Sequence, residues 1–187
     1  MSDPMAALVQ QAQGGNKAAL SSLIGQTEQR VFNLAYRILQ NRQEAEDLCQ
    51  EIFLRMWRAL PEFRGESKFT TWLHTIATNA CLNRRRKLRR ELTAQTETDE
   101  ELEHLIADSS TEPSREGLGR DEREQLWAEV NKLPAKYVLV LTLFYQQQLS
   151  YEEIARILDL PLGTVKAQLS RARRALAASL SKDGETL

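Results

Sequence analysis

One segment of this 187-residue chain combines basic and aromatic residues in a way that suits single-stranded DNA. Six of the seven residues between positions 84 and 90 are basic, and a loop and a helical stretch with aromatic and amide side chains precede them. Cations neutralise phosphates, and rings offer stacking platforms of roughly 1–3 kcal/mol per base. The candidate contacts are Phe63, Arg64, Lys68, Trp72, Thr75, Asn79, Asn83, Arg84, Arg85 and Lys87. The competing interpretation is that Trp72 and Phe69 belong to the core and the arginines are merely solvated.

A second segment, residues 149–180, has the layout of a helix-turn-helix. Ser150 and Glu153 predict a capping box, and residues 159–163 supply a turn with Pro and Gly. Inward-facing positions are predicted at Ile154, Ala155, Leu158, Val165, Leu169 and Leu176. The outer face of the second helix then carries Lys166, Ser170, Arg171, Arg173 and Arg174, which suits entry into the major groove. A plain helical hairpin with a solvated basic face is the alternative.

Residues that perform catalysis or hold metals are not grouped in this sequence. His74 and His104 are isolated, and no P-loop or nucleophile with a neighbouring base is present. Cys49 and Cys81 lie in apolar helical stretches outside any CxxC motif, which predicts two buried free thiols in a reducing cytoplasm. We therefore expect no enzymatic activity, no cofactor, no metal and no small-molecule substrate.

The elements that position these segments have helical periodicity almost throughout. Helices are predicted from Asp3-Pro4 to Gly14-Gly15, over the apolar positions from Leu20 to Ile38, from an Asn41 cap to just before Pro61, and over about 70–91. The cap at Asn41 is predicted to pair with Glu44 in a capping box, and this third helix to bury Ala45, Leu48, Ile52, Phe53 and Met56. Further helices are expected at about 116–132, 135–147, 151–158 and 162–180.

The net charge of −1 conceals separate charged blocks. Residues 91–131 hold thirteen acids and three bases, whereas residues 132–187 hold eight bases and five acids. The predicted fold is therefore all-α, with two small helical domains joined by a flexible acidic linker. The domains are residues 1–91 and 116–187, and the linker is 92–115, with one short helical turn near 102–106. No signal peptide or apolar run long enough for a membrane span is visible, so the expected location is cytoplasmic.

Three blocks resemble the extracytoplasmic-function (ECF) group of bacterial RNA polymerase sigma factors, in the order that the family has them. They are AEDLCQEIFLRMWRAL at 45–60, FRGESKFTTWLHTIATNACLNRRRK at 63–87 and LSYEEIARILDLPLGTVKAQLSRARRAL at 149–176. The resemblance implies a non-enzymatic factor that directs core RNA polymerase to promoters. It further implies partners: polymerase at its clamp and flap regions, promoter DNA in duplex and single-stranded form, and an anti-sigma factor.

The resemblance also implies roles for individual residues. The residues that it assigns to docking on the polymerase clamp are Asp47, Gln50, Glu51, Phe53, Arg55 and Trp57. The segment 63–87 is implied to melt and read the minus-ten element, with Phe63 and Asn79 at the positions where relatives capture a flipped base. Reading of the duplex minus-thirty-five element is implied for Tyr151, Glu152, Thr164, Lys166, Ala167, Ser170, Arg171, Arg173 and Arg174. The acidic linker is implied to thread through polymerase channels.

The sequence departs from the family at the recognition helix. Ala167-Gln168 stands where relatives usually have Ser-Arg, and Leu160-Pro161 where they often have Cys-Pro. The preferred upstream DNA sequence of a relative therefore does not transfer to this chain.

Two other functions compete with the sigma interpretation: a stand-alone helix-turn-helix repressor or activator, and an enzyme acting on nucleic acid. Neither requires the docking block, the basic-aromatic helix and the acidic linker together.

Overall fold

The computed structural model describes residues 3–93 and 118–184, and within these ranges every regular element is helical. Contacts divide the chain into two compact units, residues 1–90 with 156–158 and residues 91–155 with 159–187. Each helix is assigned to the unit that holds most of its residues. The first unit contains α1 (Ala6–Gln13), α2 (Lys17–Leu39), α3 (Arg42–Ala59), a 3-10 turn (Leu60–Glu62) and α4 (Phe69–Thr93). The second contains α5 (Leu118–Asn131), α6 (Ala135–Leu141), a π-helical turn (Thr142–Gln146), α7 (Tyr151–Leu158) and α8 (Leu162–Gly184). The predicted all-α class is confirmed.

The core of the first unit is formed by apolar residues of α2, α3 and α4. Side chains that are almost fully buried include Leu23, Leu34, Leu48, Ile52, Met56, Phe69 and Leu73. Each such side chain contributes roughly 1.5–3 kcal/mol through removal of apolar surface from water. These are the residues that the helical periodicity places on one face of each helix, so the core follows from the sequence pattern.

Local signals set where these helices begin and end. The Asn16 side chain accepts hydrogen bonds from the amides of Ala18 and Ala19 at the start of α2. Gln40 adopts a left-handed conformation with φ of 53° and ends that helix. Asn41 then caps α3 by accepting from the amide of Glu44. The chain can therefore reverse between α2 and α3 within two residues.

Two details of the α3 prediction were wrong. The Glu44 side chain does not complete a capping box with Asn41, because it forms an ion pair with Arg84 of α4 instead. Phe53 was predicted to be buried, but it is only half-buried and lines an open groove with Leu20 and Ile24 of α2. The apolar face of α3 is thus wider than the face that the core covers.

The helix-turn-helix of the second unit forms as predicted. Ser150 and Glu153 exchange hydrogen bonds, the amide of each donating to the side chain of the other. Asp159, with φ of 51°, ends α7. Of the positions predicted to face inward, Ile154, Val165 and Leu169 are buried, whereas Ala155 and Leu158 are half-buried. In α8, Ala172 is also buried and Leu176 is only half-buried, so the predicted burial of Leu176 was wrong. The buried side of α8 is therefore concentrated in its N-terminal half.

Several predictions concern residues outside the described ranges. The acidic linker expected at 92–115 lies there apart from its first two residues, which belong to the end of α4. The short helical turn expected near 102–106 and the isolated His104 also lie there.

Candidate nucleic-acid interface

An aromatic cluster joins the loop after α3 to the first turn of α4. Phe63 lies with its ring centroid 4.9 Å from that of Trp72 and 6.2 Å from that of Phe69. Phe69 is fully buried, whereas Phe63 and Trp72 are half-buried. Phe69 is therefore a core residue, and the other two rings keep an accessible edge. Such partly exposed rings can stack on an unpaired base.

The backbone around Phe63 is hydrogen-bonded to α1, a contact that the sequence pattern does not predict. The Nε2 of Gln13 donates to the carbonyl oxygens of Leu60 and Phe63 at 2.9 Å and 2.8 Å. At the other end of α1, Asp3 accepts a hydrogen bond of 2.6 Å from the amide of Phe69. A glutamine on the surface of a helix gives no sequence signal for a contact 50 positions away.

A polar stripe runs along α4 beyond the aromatic cluster. Asn79, Asn83 and Lys87 are exposed at four-residue spacing, so they share one face of the helix. Thr75 begins the same stripe, but it is half-buried and its hydroxyl donates to the carbonyl of Thr71. The exposed loop residues Arg64 and Lys68 precede it. The amides and cations of this stripe can hydrogen-bond base edges and neutralise phosphates of a separated strand.

Arg84 and Arg85 differ from the rest of the basic block. Arg84 is ion-paired with Glu44 and Glu51 of α3, and only 18% of its side chain is exposed. The hydrogen bond to Glu44 is the main cause that raises the pKa of Arg84 above its ordinary value. Arg85 is half-buried. Arg84 therefore joins α4 to α3. The exposed cations of the basic block at residues 84–90 are Arg86, Lys87, Arg89 and Arg90.

The outer face of α3 presents a mixed acidic and apolar surface. Asp47, Gln50 and Arg55 are exposed, and Glu51 is half-buried between its pairings with Arg84 and Arg55. Two large apolar side chains on this helix are also open to solvent, Leu54 with 50% and Trp57 with 55% exposure. Exposed large apolar side chains beside a groove are typical of a protein-binding surface.

The outer face of α8 is exposed, as the sequence predicts. The exposed residues are Glu152 on α7 and, on α8, Lys166, Ala167, Ser170, Arg171, Arg173 and Arg174. Thr164 and Tyr151 are half-buried at the N-terminal ends of α8 and α7. The first turn of α8 carries no acidic residue, so its positive dipole end is left for phosphate. This arrangement suits insertion of α8 into the major groove.

Arg173 is part of an aromatic cluster in the second unit. Its guanidinium lies 5.3 Å from the ring centroid of Phe144 and 5.5 Å from that of Tyr145. Phe144 in turn stacks on Tyr151, at 5.1 Å between centroids. A hydrogen bond to the Tyr151 hydroxyl is the main cause that raises the pKa of Arg173. Arg173 therefore links α8 to the π-helical turn and α7, a role that its place in a basic helix did not reveal.

Two thiols and one histidine of the first unit are buried. Cys49 and Cys81 are free and buried, as predicted, and burial raises the pKa of Cys49 to about 11 and that of Cys81 to about 12. His74 is buried in α4. Among the residues that the structure describes, no group of three or more His, Cys, Asp or Glu could hold a metal ion. The same residues include no helix that is both long and apolar enough to cross a bilayer.

Comparison with protein-family models gives two matches. Residues 23–91 match the model for sigma-70 region 2, and residues 123–176 match a model for sigma-70 region 4. The first match contains the aromatic cluster, the polar stripe and the outer face of α3. The second contains the helix-turn-helix.

Curated proteins resemble the chain over most of its length. It is 36% identical to the RNA polymerase sigma-H factor of Pseudomonas aeruginosa over 92% of each chain. It is 34% identical to the ECF RNA polymerase sigma factor SigW of Bacillus subtilis, over 92% of this chain and 94% of that one. The ECF sigma-E factor of Escherichia coli K12 is 33% identical over 90% of each.

Two solved structures share the fold. CnrH, in complex with the cytosolic domain of CnrY, aligns with a TM-score of 0.69 over 95% of this chain and 97% of its own, at 22% identity. The sigma factor RpoE of Bartonella quintana, in complex with the anti-sigma factor NepR, aligns with a TM-score of 0.72 over 86% and 96%, at 24% identity.

Proposed function

The chain belongs to the ECF group of RNA polymerase sigma factors and directs promoter-specific transcription initiation, and we propose that its two units divide promoter recognition between them. The first unit docks on core polymerase and opens the minus-ten element, and the second reads the minus-thirty-five element as duplex. Polymerase catalyses RNA synthesis, while this non-enzymatic chain selects the promoter and opens its strands. This division of promoter recognition is supported by the contrast between the two surfaces. The surface of α4 presents aromatic rings and amides, whereas the outer face of α8 is basic.

Strand opening is assigned to the loop at Phe63 and the stripe on α4. Extruding a base costs a few kcal/mol of lost stacking and pairing, and a protein must offset this with new contacts. The accessible edges of Phe63 and Trp72 offer stacking, and the exposed amide of Asn79 offers a donor and an acceptor for a base edge. Arg64, Lys68, Asn83 and Lys87 extend this surface along the phosphates. We assign Thr75, Arg84 and Arg85 to the support of this surface rather than to direct DNA contact, because all three are half-buried.

Duplex reading is assigned to α8 and the start of α7. Lys166 and Arg171 are exposed cations on the recognition helix, and such side chains pair with guanine edges or phosphates. Ala167 lies exposed in the same region, where a methyl group can contact thymine but cannot donate a hydrogen bond. Tyr151, Glu152, Thr164, Ser170 and Arg174 surround them, and the exposed Arg173 also contacts the rings of Phe144 and Tyr145. This chain should therefore prefer an upstream sequence of its own.

Docking on the polymerase clamp is assigned to the outer face of α3. Asp47, Gln50 and Glu51 give it an acidic edge, and the half-buried Phe53 and exposed Trp57 give it an apolar centre. Trp and Phe in such positions commonly dominate the free energy of binding. Arg55 lies at the exposed rim of the same face. The polymerase flap would receive the second unit, and the acidic residues between 92 and 115 would thread through channels of the enzyme.

An anti-sigma factor is proposed as a further partner. CnrH and the Bartonella RpoE were solved with CnrY and NepR respectively, and this chain has the same fold. A partner that covers the α3 face or the polar stripe on α4 would keep the factor from polymerase or from DNA. The proposed site of action is the cytoplasm, where polymerase and promoter DNA are found.

Reconstitution with purified core polymerase tests the proposed function. The chain and core polymerase together should start transcription at a specific promoter, and neither should do so alone. Gln50→Ala and Trp57→Ala should weaken binding to core polymerase, whereas Gln26→Ala, which changes an exposed glutamine of α2, should not. Duplex binding by the chain without any effect on polymerase would instead favour a stand-alone helix-turn-helix regulator.

A further inference from the structure

The short helix α1 and the residues just before it contact both ends of the loop at residues 63–68, here called the Phe63 loop. Gln13, at its C-terminal end, donates to the carbonyl oxygens of Leu60 and Phe63. Asp3, just before the helix, accepts from the amide of Phe69 through one carboxylate oxygen and from the amide of Met5 through the other. The family match for the first unit begins at residue 23, so α1 lies outside it. One element therefore holds the beginning and the end of the loop.

These contacts fix the direction in which the loop leaves α3. The Leu60 carbonyl also accepts from the amide of Phe63, so Gln13 closes a small network around the 3-10 turn. With its carbonyl tied to Gln13, Phe63 is held in an extended conformation with ψ of 114° and its ring against Trp72. Between the two anchors, Gly65 adopts φ of 72°, which allows a sharp turn without a Cβ penalty.

We propose that Gln13 and Asp3 are positioning residues for promoter opening, which act by holding the Phe63 loop in the geometry that receives an unpaired base. This inference rests on the proposed strand-opening role of the loop. A loop that is already ordered when DNA arrives loses less conformational entropy on binding, so opening is faster. Neither residue needs to touch DNA for this effect.

The loop geometry can be tested in the free protein. Gln13→Ala removes both hydrogen bonds, and Gln13→Glu keeps the length of the side chain but replaces the donor with an acceptor that repels the two carbonyls. Gln11→Ala is the matched control, since Gln11 is an exposed glutamine two residues earlier on the same helix. Trypsin cleavage after the exposed Arg64 and hydrogen exchange of residues 61–68 should rise in both Gln13 variants and stay unchanged in the control. Unchanged cleavage and exchange in the Gln13 variants would overturn the inference.

The functional arm uses the full chain with core polymerase. The rate of promoter opening, followed by permanganate reactivity of unpaired thymines, should fall about tenfold in Gln13→Ala, as expected for the loss of two partly exposed hydrogen bonds. Closed-complex affinity and the thermal midpoint should remain near those of the parent. Equal losses in closed-complex affinity and opening would show a merely structural role and would overturn the inference.

Phe63→Ala, measured in parallel, separates this inference from the proposed function. Normal opening by Phe63→Ala would remove the strand-opening role of the loop and the inference together. Impaired opening by Phe63→Ala with normal opening by both Gln13 variants would leave the proposed function standing and overturn the positioning role alone. The expected result is impaired opening in Phe63→Ala and in both Gln13 variants.

Discussion

Arg84 of α4 donates a hydrogen bond of 2.6 Å to Glu44 of α3, 40 positions earlier in the chain. The same guanidinium pairs with Glu51, so a cation of the basic block is bound to the helix whose outer face is proposed to dock on polymerase. The proposed DNA-opening helix and the proposed docking helix are thus joined by a charged contact within one unit. Docking and opening surfaces held in a fixed relation can act on DNA and polymerase together.

The Arg84 contact should contribute to the stability of the first unit. Arg84→Ala removes the cation that pairs with Glu44 and one of the two cations that pair with Glu51, and it should lower the free energy of unfolding by about 1–2 kcal/mol. Arg86→Ala, which removes an exposed cation two residues later, should change stability by less than about 0.5 kcal/mol. Urea unfolding followed by circular dichroism measures both. Equal stability of the two variants would contradict the proposed structural role of Arg84.

The aromatic cluster around Arg173 should distinguish neighbouring arginines of α8. Arg173→Ala loses the contacts with Phe144, Tyr145 and Tyr151, and should destabilise the second unit by about 0.5–1 kcal/mol, the range for exposed cation–π contacts. Arg173→Lys should not restore this loss, because an ammonium cannot reproduce the planar contact. Arg174→Ala is the control and should weaken DNA binding with little effect on the thermal midpoint. A stable Arg173→Ala with weakened DNA binding would mean that Arg173 contacts DNA directly.

The exposed cations of α8 should determine the upstream preference. Lys166→Ala and Arg171→Ala should each cost roughly 1–3 kcal/mol in binding to the preferred minus-thirty-five sequence and relax selectivity there. Lys136→Ala removes an exposed cation from α6 and should leave selectivity unchanged. Competition binding against randomised upstream sequences measures this. An unchanged sequence preference in Lys166→Ala and Arg171→Ala would count against α8 as the reading element.

The buried thiols should make the first unit sensitive to alkali. Burial raises the pKa of Cys49 to about 11 and that of Cys81 to about 12, from an ordinary value of 9.0. Above pH 9.0 the unfolded chain loses thiol protons that the folded chain retains. The thiol contribution to stability is therefore complete below that pH and falls as pH rises through the folded pKa values.

Urea midpoints measured across this pH range test the thiol prediction. The midpoint of the parent should fall more steeply with rising pH than that of Cys81→Ala, whose absolute stability is lower because of the cavity. In the folded parent at neutral pH, both thiols should also react slowly with a disulfide reagent. Urea midpoints that fall equally with rising pH in the parent and in Cys81→Ala would contradict the proposed contribution of the buried thiol.

Most of the fold could be predicted because the relevant signals are local. Helical periodicity, the Asn41 cap and the exchange between Ser150 and Glu153 involve residues within one or two turns, and these predictions were confirmed apart from the side chain of Glu44. The width of the apolar face of α3 was misjudged at Phe53, since periodicity does not show how much of a face the neighbouring helix covers.

For the candidate site, the sequence predicts which residues are present and exposed, but not which tertiary partners they contact. The exposed amides Asn79 and Asn83 and the exposed cations of α8 lie where spacing places them. The partners of Arg84, Arg173 and Gln13 could not be inferred, because each lies on another element and is selected by tertiary packing. A basic run in a sequence shows charge, and only the fold separates the cations that pair internally from those that remain exposed.

The division of labour between the two units is tested most directly by measuring closed-complex affinity and the rate of promoter opening for Asn79→Ala and Lys166→Ala with core polymerase. We predict that Asn79→Ala opens the promoter at least about tenfold more slowly with little change in closed-complex affinity, consistent with the loss of a contact made only to an unpaired base. Lys166→Ala should weaken the closed complex and open normally once bound. Equal losses in both steps for both variants would contradict the division.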